Sequence, residues 1–185
     1  MKRFSIVDNG YNIDAVVTNP DRPKGRGMKM MMSDVKEYAI EAGIEKIFQP
    51  EKVRKNEEFI DELRSINPDL IVVVAYGKIL PKAILDLPKY GCVNVHGSLL
   101  PKYRGAAPIQ RAVLDGEKVT GVTTMQMAEG LDTGDMLLTY ETEILPNETS
   151  GELFDRLAIA GADLLLETLT ALQAGTVTPQ KQDDN

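Results

Sequence analysis

The chain contains a single histidine, His96, and therefore one side chain of the type that changes charge near neutral pH. It follows Cys92-Val93-Asn94-Val95, an apolar run that is typical of a strand. Since residues two apart on a strand point to the same face, Asn94 and His96 are predicted to project together. An amide and an imidazole at a strand end can donate to a carbonyl oxygen, so we predict chemistry on a carbonyl group. A histidine that only satisfies local hydrogen bonds is the alternative.

A candidate partner for this pair lies in residues 129–135, where Gly130 and Gly134 bracket Asp132 after a predicted strand. A carboxylate at that strand end could orient the imidazole and favour its protonated form. Asp135 competes for the same role. Because Asp and Gly are also common turn residues, a plain hairpin turn explains the spacing equally well.

The loop after the histidine carries adjacent leucines, Leu99 and Leu100. Loops rarely expose two leucines, so they either fold back into the core or line a flat slot for an aromatic ligand. Residues 105–107, Gly-Ala-Ala, would let the start of a helix approach that ligand closely.

A basic, turn-rich loop at residues 19–27 stands out in a chain whose net charge is −7. Such a charge run is either solvated surface or a contact to a phosphate backbone. Its basic side chains, with the one that follows, are Arg22, Lys24, Arg26 and Lys29. Of the methionines at positions 28 and 30–32, we expect some in the core and the rest in an adaptable contact surface.

Composition excludes several classes of protein. The acidic balance argues against non-specific coating of nucleic acid, and one Cys with one His disfavours disulfides and transition-metal sites. No Gly-rich dinucleotide loop, phosphate loop or Gly-x-Ser-x-Gly elbow occurs. Cys92 is a weak candidate nucleophile, since nothing in its neighbourhood lowers a thiol pKa. We expect a cytoplasmic protein without a metal or a membrane segment, because no apolar run approaches about 18 residues.

Strand and helix patterns alternate along most of the chain. Strands are predicted at 13–18, 44–48, 70–75, 92–95, 122–127 and 136–144, and helices at 33–41, 57–66, 81–87, 107–114 and 149–175. This alternation predicts an α/β fold, a mostly parallel sheet with helices on both faces. Ligands bind such sheets at the carboxyl ends of the strands, where the histidine lies. We expect one domain at residues 1–176 and a polar tail or start of a linker at 177–185, with residues 180–185 frayed.

The string from Asn94 to Pro101, followed by Asp132-Thr133-Gly134, resembles the signature of folate-dependent formyltransferases. Longer strings at 20–27, 73–81, 103–110 and 121–127 are similar to those of the members that act on methionyl-tRNA. The resemblance implies a Rossmann-like fold. It also implies transfer of a formyl group from 10-formyltetrahydrofolate to the α-amine of methionyl initiator tRNA, with no metal.

The resemblance also implies roles for individual residues. Asn94, His96 and Asp132 take the catalytic positions. The residues bordering the folate would be Tyr76, Gly77, Ile79, Leu80, Ser98, Leu99, Leu100 and Pro101. Those touching the acceptor end of the tRNA would be Arg22, Lys24, Arg26 and Lys29.

The chain departs from this family at both ends. Members usually open with a strand, a Gly-Thr-Pro loop and a helix, whereas residues 6–10 look like the end of that helix. They also carry a small C-terminal β-barrel domain. We therefore expect an N-terminally truncated catalytic domain, acting as a monomer. The alternatives are transfer to glycinamide ribonucleotide or a sugar-nucleotide amine, hydrolysis of the formylfolate, or a folate- or tRNA-binding remnant without turnover.

Overall fold

The computed structural model describes residues 6–24 and 28–183. In chain order its elements are β1 (Val16–Val17), β2 (Arg22–Lys24), β3 (Lys29–Met31), α1 (Asp34–Glu41), β4 (Ile47–Phe48), α2 (Glu57–Ile66), β5 (Ile71–Val73), α3 (Lys82–Leu85), β6 (Cys92–His96), α4 (Pro108–Leu114), β7 (Val119–Gln126), β8 (Met136–Glu143) and α5 (Ser150–Ala174). Before β1, residues 6–10 form hydrogen-bonded turns that end at Gly10, with a φ of +81°.

The strands form both parallel and antiparallel pairs. β1 pairs with β4, and β5 with β6, in parallel. β6, β7 and β8 then follow one another antiparallel, giving a four-stranded sheet in the order β5-β6-β7-β8. The predicted α/β class is confirmed. The loops after the parallel strands β5 and β6 leave the same edge of the sheet, where the histidine lies.

Helices cover both faces of this sheet, as the alternation along β6 makes clear. Cys92 packs into one core cluster with Phe59 and Ile84, from α2 and α3. The next residue, Val93, packs into a different cluster with Leu165, from α5. Neighbouring strand residues point to opposite faces, so the two clusters are separated by the sheet.

The long helix α5 supports the strands that carry the site. It begins with a capping box: the Thr149 side chain accepts from the backbone amide of Glu152, and the Glu152 side chain accepts from the backbone amide of Thr149. Gly161 lies so close to the sheet that a Cβ there would sit 3.2 Å from Val95 and 3.4 Å from Val122. By length and hydropathy α5 alone, among the described residues, could cross a membrane. Its buried stripe, from Leu153 to Leu169, is that of a core helix.

The basic loop contains a hairpin that the sequence analysis did not predict. β2 and β3 pair antiparallel and form a two-stranded sheet of their own. The expectation that some of the methionines enter the core is wrong. Met28, Met30, Met31 and Met32 are 70, 64, 48 and 39% exposed. Because β2 and β3 pair with each other and with no other described strand, the hairpin gives these methionines no second sheet to pack against.

Candidate active site

His96 is the last residue of β6 and lies opposite Thr123 of β7. Its side chain is 7% exposed, and Nδ1 lies 3.6 Å from Oδ2 of Asp132. Asn94 precedes it by two residues, between Val73 of β5 and Met125 of β7. Of the three predicted catalytic residues, His96 and Asp132 therefore face each other at the carboxyl end of β6, and Asn94 lies two residues earlier on the same strand.

Asp132 reaches the imidazole from the connection between β7 and β8. It adopts a left-handed backbone, with a φ of +51°, and its Oδ2 accepts a hydrogen bond from the backbone amide of Gly105 at 2.9 Å. Asp135, the competing acid, uses its backbone carbonyl to pair with Gln126. The segment is thus a turn between antiparallel strands, and that turn places a carboxylate against the histidine.

The other ring nitrogen of His96 contacts the backbone of the following loop. Nε2 lies 3.0 Å from the carbonyl oxygen of Tyr103. Because a carbonyl oxygen only accepts, Nε2 must carry the hydrogen of this bond. Both ring nitrogens face oxygen atoms, and the bond to Tyr103 is the shorter contact.

The loop between His96 and Tyr103 is fixed by buried hydroxyl groups. Ser98 and Thr123 are both 0% exposed. Ser98 Oγ donates to the carbonyl of Lys102 at 2.6 Å, and Thr123 Oγ1 donates to the carbonyl of Ser98 at 2.7 Å. Thr123 Oγ1 also accepts from the amide of Leu100 at 3.2 Å. In this geometry Ser98 uses its hydroxyl to hold the loop.

The side chains predicted to border a folate divide into buried and open groups. Leu80 and Leu100 are both 7% exposed and belong to the core, whereas Ile79 is 55% exposed. Leu99 is half-buried against Gly121 of β7, Gly77 has a φ of +73°, and Pro101 is exposed. Among the described residues the buried hydroxyl of Tyr76 has no hydrogen-bond partner, and burial raises its pKa. The loops after β5 and β6 thus present one open aliphatic side chain and one buried phenol.

A polar network connects the segment around the hairpin β2–β3 to the loop after β5, at the sheet edge that carries the site. Lys36 donates to Asp21 and Gln49, at 2.7 and 2.6 Å, and its hydrogen bond lowers the pKa of Asp21. Gln49 donates to the carbonyl of Asn19, whose side chain donates to the carbonyl of Tyr76 at 3.2 Å.

The basic residues of the hairpin are only partly described by the structure. Arg22 is exposed, and the backbones of Lys24 and Lys29 pair across the hairpin. Arg26 lies outside the described residues.

Gln180 and Gln182 of the predicted tail dock against the site, which corrects the expectation that this part of the chain frays. Gln180 exchanges backbone hydrogen bonds with Met136, both at 2.8 Å. The side-chain amide of Gln182 donates to the carbonyls of Asp132 and Gly134, at 2.8 and 2.7 Å, and accepts from Arg104 Nε at 2.8 Å. Gln182 therefore joins the two loops around the imidazole. No local sequence signal marks it, because its partners are far away in the chain.

Other candidate chemistry is disfavoured. Cys92 is 1% exposed, and burial raises the pKa of its thiol to about 12, so it is not a nucleophile. No group of three or more His, Cys, Asp or Glu within residues 6–24 and 28–183 could hold a metal ion. An open cleft of about 540 Å³, lined by Tyr11, Asn12 and Ser65 among others, contains none of the groups around His96.

Comparison with known proteins shows similarity to formyltransferases in both sequence and fold. A family model described as formyl transferase matches residues 5–169. A methionyl-tRNA formyltransferase of Clostridium novyi is 55% identical over 181 residues, covering 98% of this chain but only 58% of that relative. A phosphoribosylglycinamide formyltransferase structure from Anaplasma phagocytophilum superposes with a TM-score of 0.77 at 20% identity, covering 94% of this chain and 83% of that one.

A second solved structure contains ligands. It is the formyltransferase PseJ from Anoxybacillus kamchatkensis, in complex with a formamido sugar nucleotide and tetrahydrofolate. It superposes with a TM-score of 0.67 at 22% identity, covering 92% of this chain and 82% of that one. At these identities the solved structures establish the fold alone. The chain spans less than two thirds of the length of the curated relatives it matches.

Proposed function

Since this chain belongs to the formyl transferase family, we propose that it transfers a formyl group from 10-formyltetrahydrofolate to the α-amine of methionyl initiator tRNA. The observation that carries the proposal is the buried His96–Asp132 pair beside Asn94, at the sheet edge where substrates bind. The relative from Clostridium novyi favours this acceptor over other amines. We take residues 1–176 as the catalytic domain of a monomer that acts in the cytoplasm.

The chemistry we propose is attack of the amine on the formyl carbon. A C–N bond forms to the amine, the tetrahedral intermediate collapses, and the bond to the folate nitrogen breaks. The proton lost by the amine passes to that nitrogen, with Asp132 and water as relay. The Asn94 amide donates to the oxyanion, and one such donor is worth about 2.7–4 kcal/mol.

The imidazole supplies the second donor in this scheme. Nε2 is engaged by the Tyr103 carbonyl at 3.0 Å, whereas Nδ1 is 3.6 Å from Asp132, longer than a hydrogen bond. Nδ1 is therefore the ring nitrogen that we propose as donor to the oxyanion, with the Asp132 carboxylate beside it.

For the folate, we propose a position over the loops that follow β5 and β6. Tyr76 and the exposed Ile79 would contact it from the first loop. The remaining proposed border residues are Gly77, Leu80, Ser98, Leu99, Leu100 and Pro101. For the tRNA we propose the hairpin β2–β3, where Arg22, Lys24, Arg26 and Lys29 would contact phosphates of the acceptor end.

The test is transfer of a radiolabelled formyl group from 10-formyltetrahydrofolate to methionyl initiator tRNA by the purified chain. We expect turnover that falls by at least about 100-fold in His96→Ala and in Asn94→Ala, as for the loss of an oxyanion donor. Asn12→Ala, an exposed asparagine outside the site, is the matched control. Wild-type turnover in His96→Ala would refute the assignment, and no turnover in a folded wild-type chain would favour a binding remnant.

The acceptor is tested separately. Arg22→Glu should raise the KM for tRNA and leave the KM for the folate unchanged, because only the nucleic acid carries a phosphate backbone. Equal transfer to glycinamide ribonucleotide, or release of formate without any acceptor, would point to the other formyl-transfer or hydrolytic activities.

A further inference from the structure

The backbone carbonyl of Tyr103 lies within hydrogen-bonding distance of the His96 imidazole. The carbonyl oxygen lies 3.0 Å from Nε2, against 3.6 Å from Nδ1 to the Asp132 carboxylate. This carbonyl therefore holds Nε2, while Nδ1 faces the Asp132 carboxylate at a distance longer than a hydrogen bond.

The backbone that presents this carbonyl is in an unfavourable conformation. Tyr103 has a φ of +60°, in the left-handed region that residues with a Cβ seldom adopt. A residue stays there only when its surroundings hold it. The reason for the conformation must therefore be found in the contacts of Tyr103.

The side chain of Tyr103 supplies those contacts at the end of α4. Its hydroxyl lies 3.0 Å from carboxylate oxygens of both Asp115 and Glu117, to either of which it donates. The guanidinium of Arg111 lies 5.1 Å from the centre of its ring. Glu117 is held in turn by Lys102 at 3.1 Å. We call these contacts of the Tyr103 side chain the phenol clamp.

We propose that Tyr103 is a positioning residue: the phenol clamp fixes its left-handed backbone, and the carbonyl thereby anchors Nε2 of His96 and leaves Nδ1 as the donor to the substrate. All three partners of the Tyr103 side chain come from one segment, because Arg111, Asp115 and Glu117 belong to α4 and the turn that ends it. A rigid helix end thus positions a loop carbonyl. The catalytic part of this inference rests on the proposed function, whereas the anchoring of the imidazole does not.

The test uses the fact that the chain has one histidine, so its ring nitrogens give unambiguous NMR signals. Long-range 1H–15N spectra of the labelled full chain, recorded without substrates, report the state of both nitrogens. In Tyr103→Phe, which keeps the ring and removes the hydroxyl, we expect the Nε2 signal to shift or broaden. Tyr140→Phe, with an exposed ring on β8, is the matched control and should leave the spectrum unchanged.

Activity is measured on the same variants. We expect kcat of Tyr103→Phe to fall roughly 10- to 100-fold, as for a reacting group displaced by about 1 Å, with the KM for the folate unchanged. If circular dichroism shows that Tyr103→Phe is unfolded, Asp115→Asn with Glu117→Gln weakens the clamp from the other side, and the same NMR shift is expected.

The outcomes are distinct. An unchanged His96 spectrum in a folded clamp variant overturns the proposal, whether or not kcat falls. A shifted spectrum with wild-type kcat overturns the catalytic part. A shifted spectrum, with no formyl transfer by the wild-type chain either, supports the anchoring of His96 and contradicts the proposed function.

Discussion

Gln182 gives the sharpest test of how the site is assembled, because its side chain hydrogen-bonds both to the Asp132 loop and to Arg104. Replacing it by Ala removes three hydrogen bonds of 2.7–2.8 Å. Each is worth about 1 kcal/mol net, and the bonds are partly exposed, so we expect the free energy of unfolding to fall by about 2 kcal/mol. With a urea m value of about 2 kcal/mol/M, the midpoint should drop by about 1 M.

The same variant should loosen the site locally. The amide of Gly105 donates to Asp132 at 2.9 Å, so its hydrogen exchange reports how often the contact between the two loops opens. In Gln182→Ala we expect this amide to exchange faster, and formyl transfer to slow. Gln173→Ala, an exposed glutamine of α5, is the control. A midpoint change below about 0.25 M with unchanged Gly105 exchange would refute the docking of the C-terminal segment.

Three further changes test the fold around the site. Gly134→Ala would place a methyl group on a backbone carbonyl oxygen of β7, so unfolding by urea should show a loss of about 3 kcal/mol. Gly151→Ala, whose Cβ would have its nearest neighbour at 3.9 Å, should be neutral or better. Burial raises the pKa of Cys92 to about 12 from 9.0. Stability should therefore fall as pH rises above 9, less so in Cys92→Ala, and the folded thiol should resist alkylation at pH 8. The hydrogen bond from Arg156 lowers the pKa of Glu148, so its stabilisation is present above pH 4.5 and is lost as pH falls; Glu148→Gln should show a smaller loss of Tm in acid.

Each of these has a contrary result. Equal stability of Gly134→Ala and Gly151→Ala would contradict the close approach at Gly134. Rapid alkylation of the folded chain would contradict the burial of Cys92. An identical acid profile in Glu148→Gln would show that the ion pair carries none of the acid sensitivity.

Helices and their ends were predictable because their signals are local. The apolar spacing within residues 57–66 predicted α2 with the bounds observed. The cap at Thr149 and the stop at Gly175 were likewise predicted for α5. The pairing of His96 with Asp132, in preference to Asp135, followed only in part from spacing. The selection depends on the left-handed turn that aims the carboxylate, which a Gly-rich sequence permits without specifying.

The features that the sequence did not predict are made by distant contacts. Gln182 lies 50 residues beyond Asp132, and no periodicity links the two. The first strand of the hairpin β2–β3 was predicted as a loop because Pro and Gly are common in loops and in hairpins alike. Strands of three residues are too short to leave a clear alternating pattern in the sequence. The bond between His96 and Tyr103 involves a carbonyl, and every residue has one, so residue type carries no information about it.

The small sheet of β1 and β4 indicates which part of the molecule opens most readily by local unfolding. Two residue pairs hold it, whereas seven hold β7 to β8. Backbone amides of a short ladder open at lower free energy than those of a long one, so hydrogen exchange should divide the protein into a slow half around His96 and a fast half that bears the basic hairpin. A polymer that binds the fast-exchanging half must first restrict the motion of that half. Part of its binding energy is then consumed as lost conformational entropy, while the reacting groups are ordered before any substrate arrives.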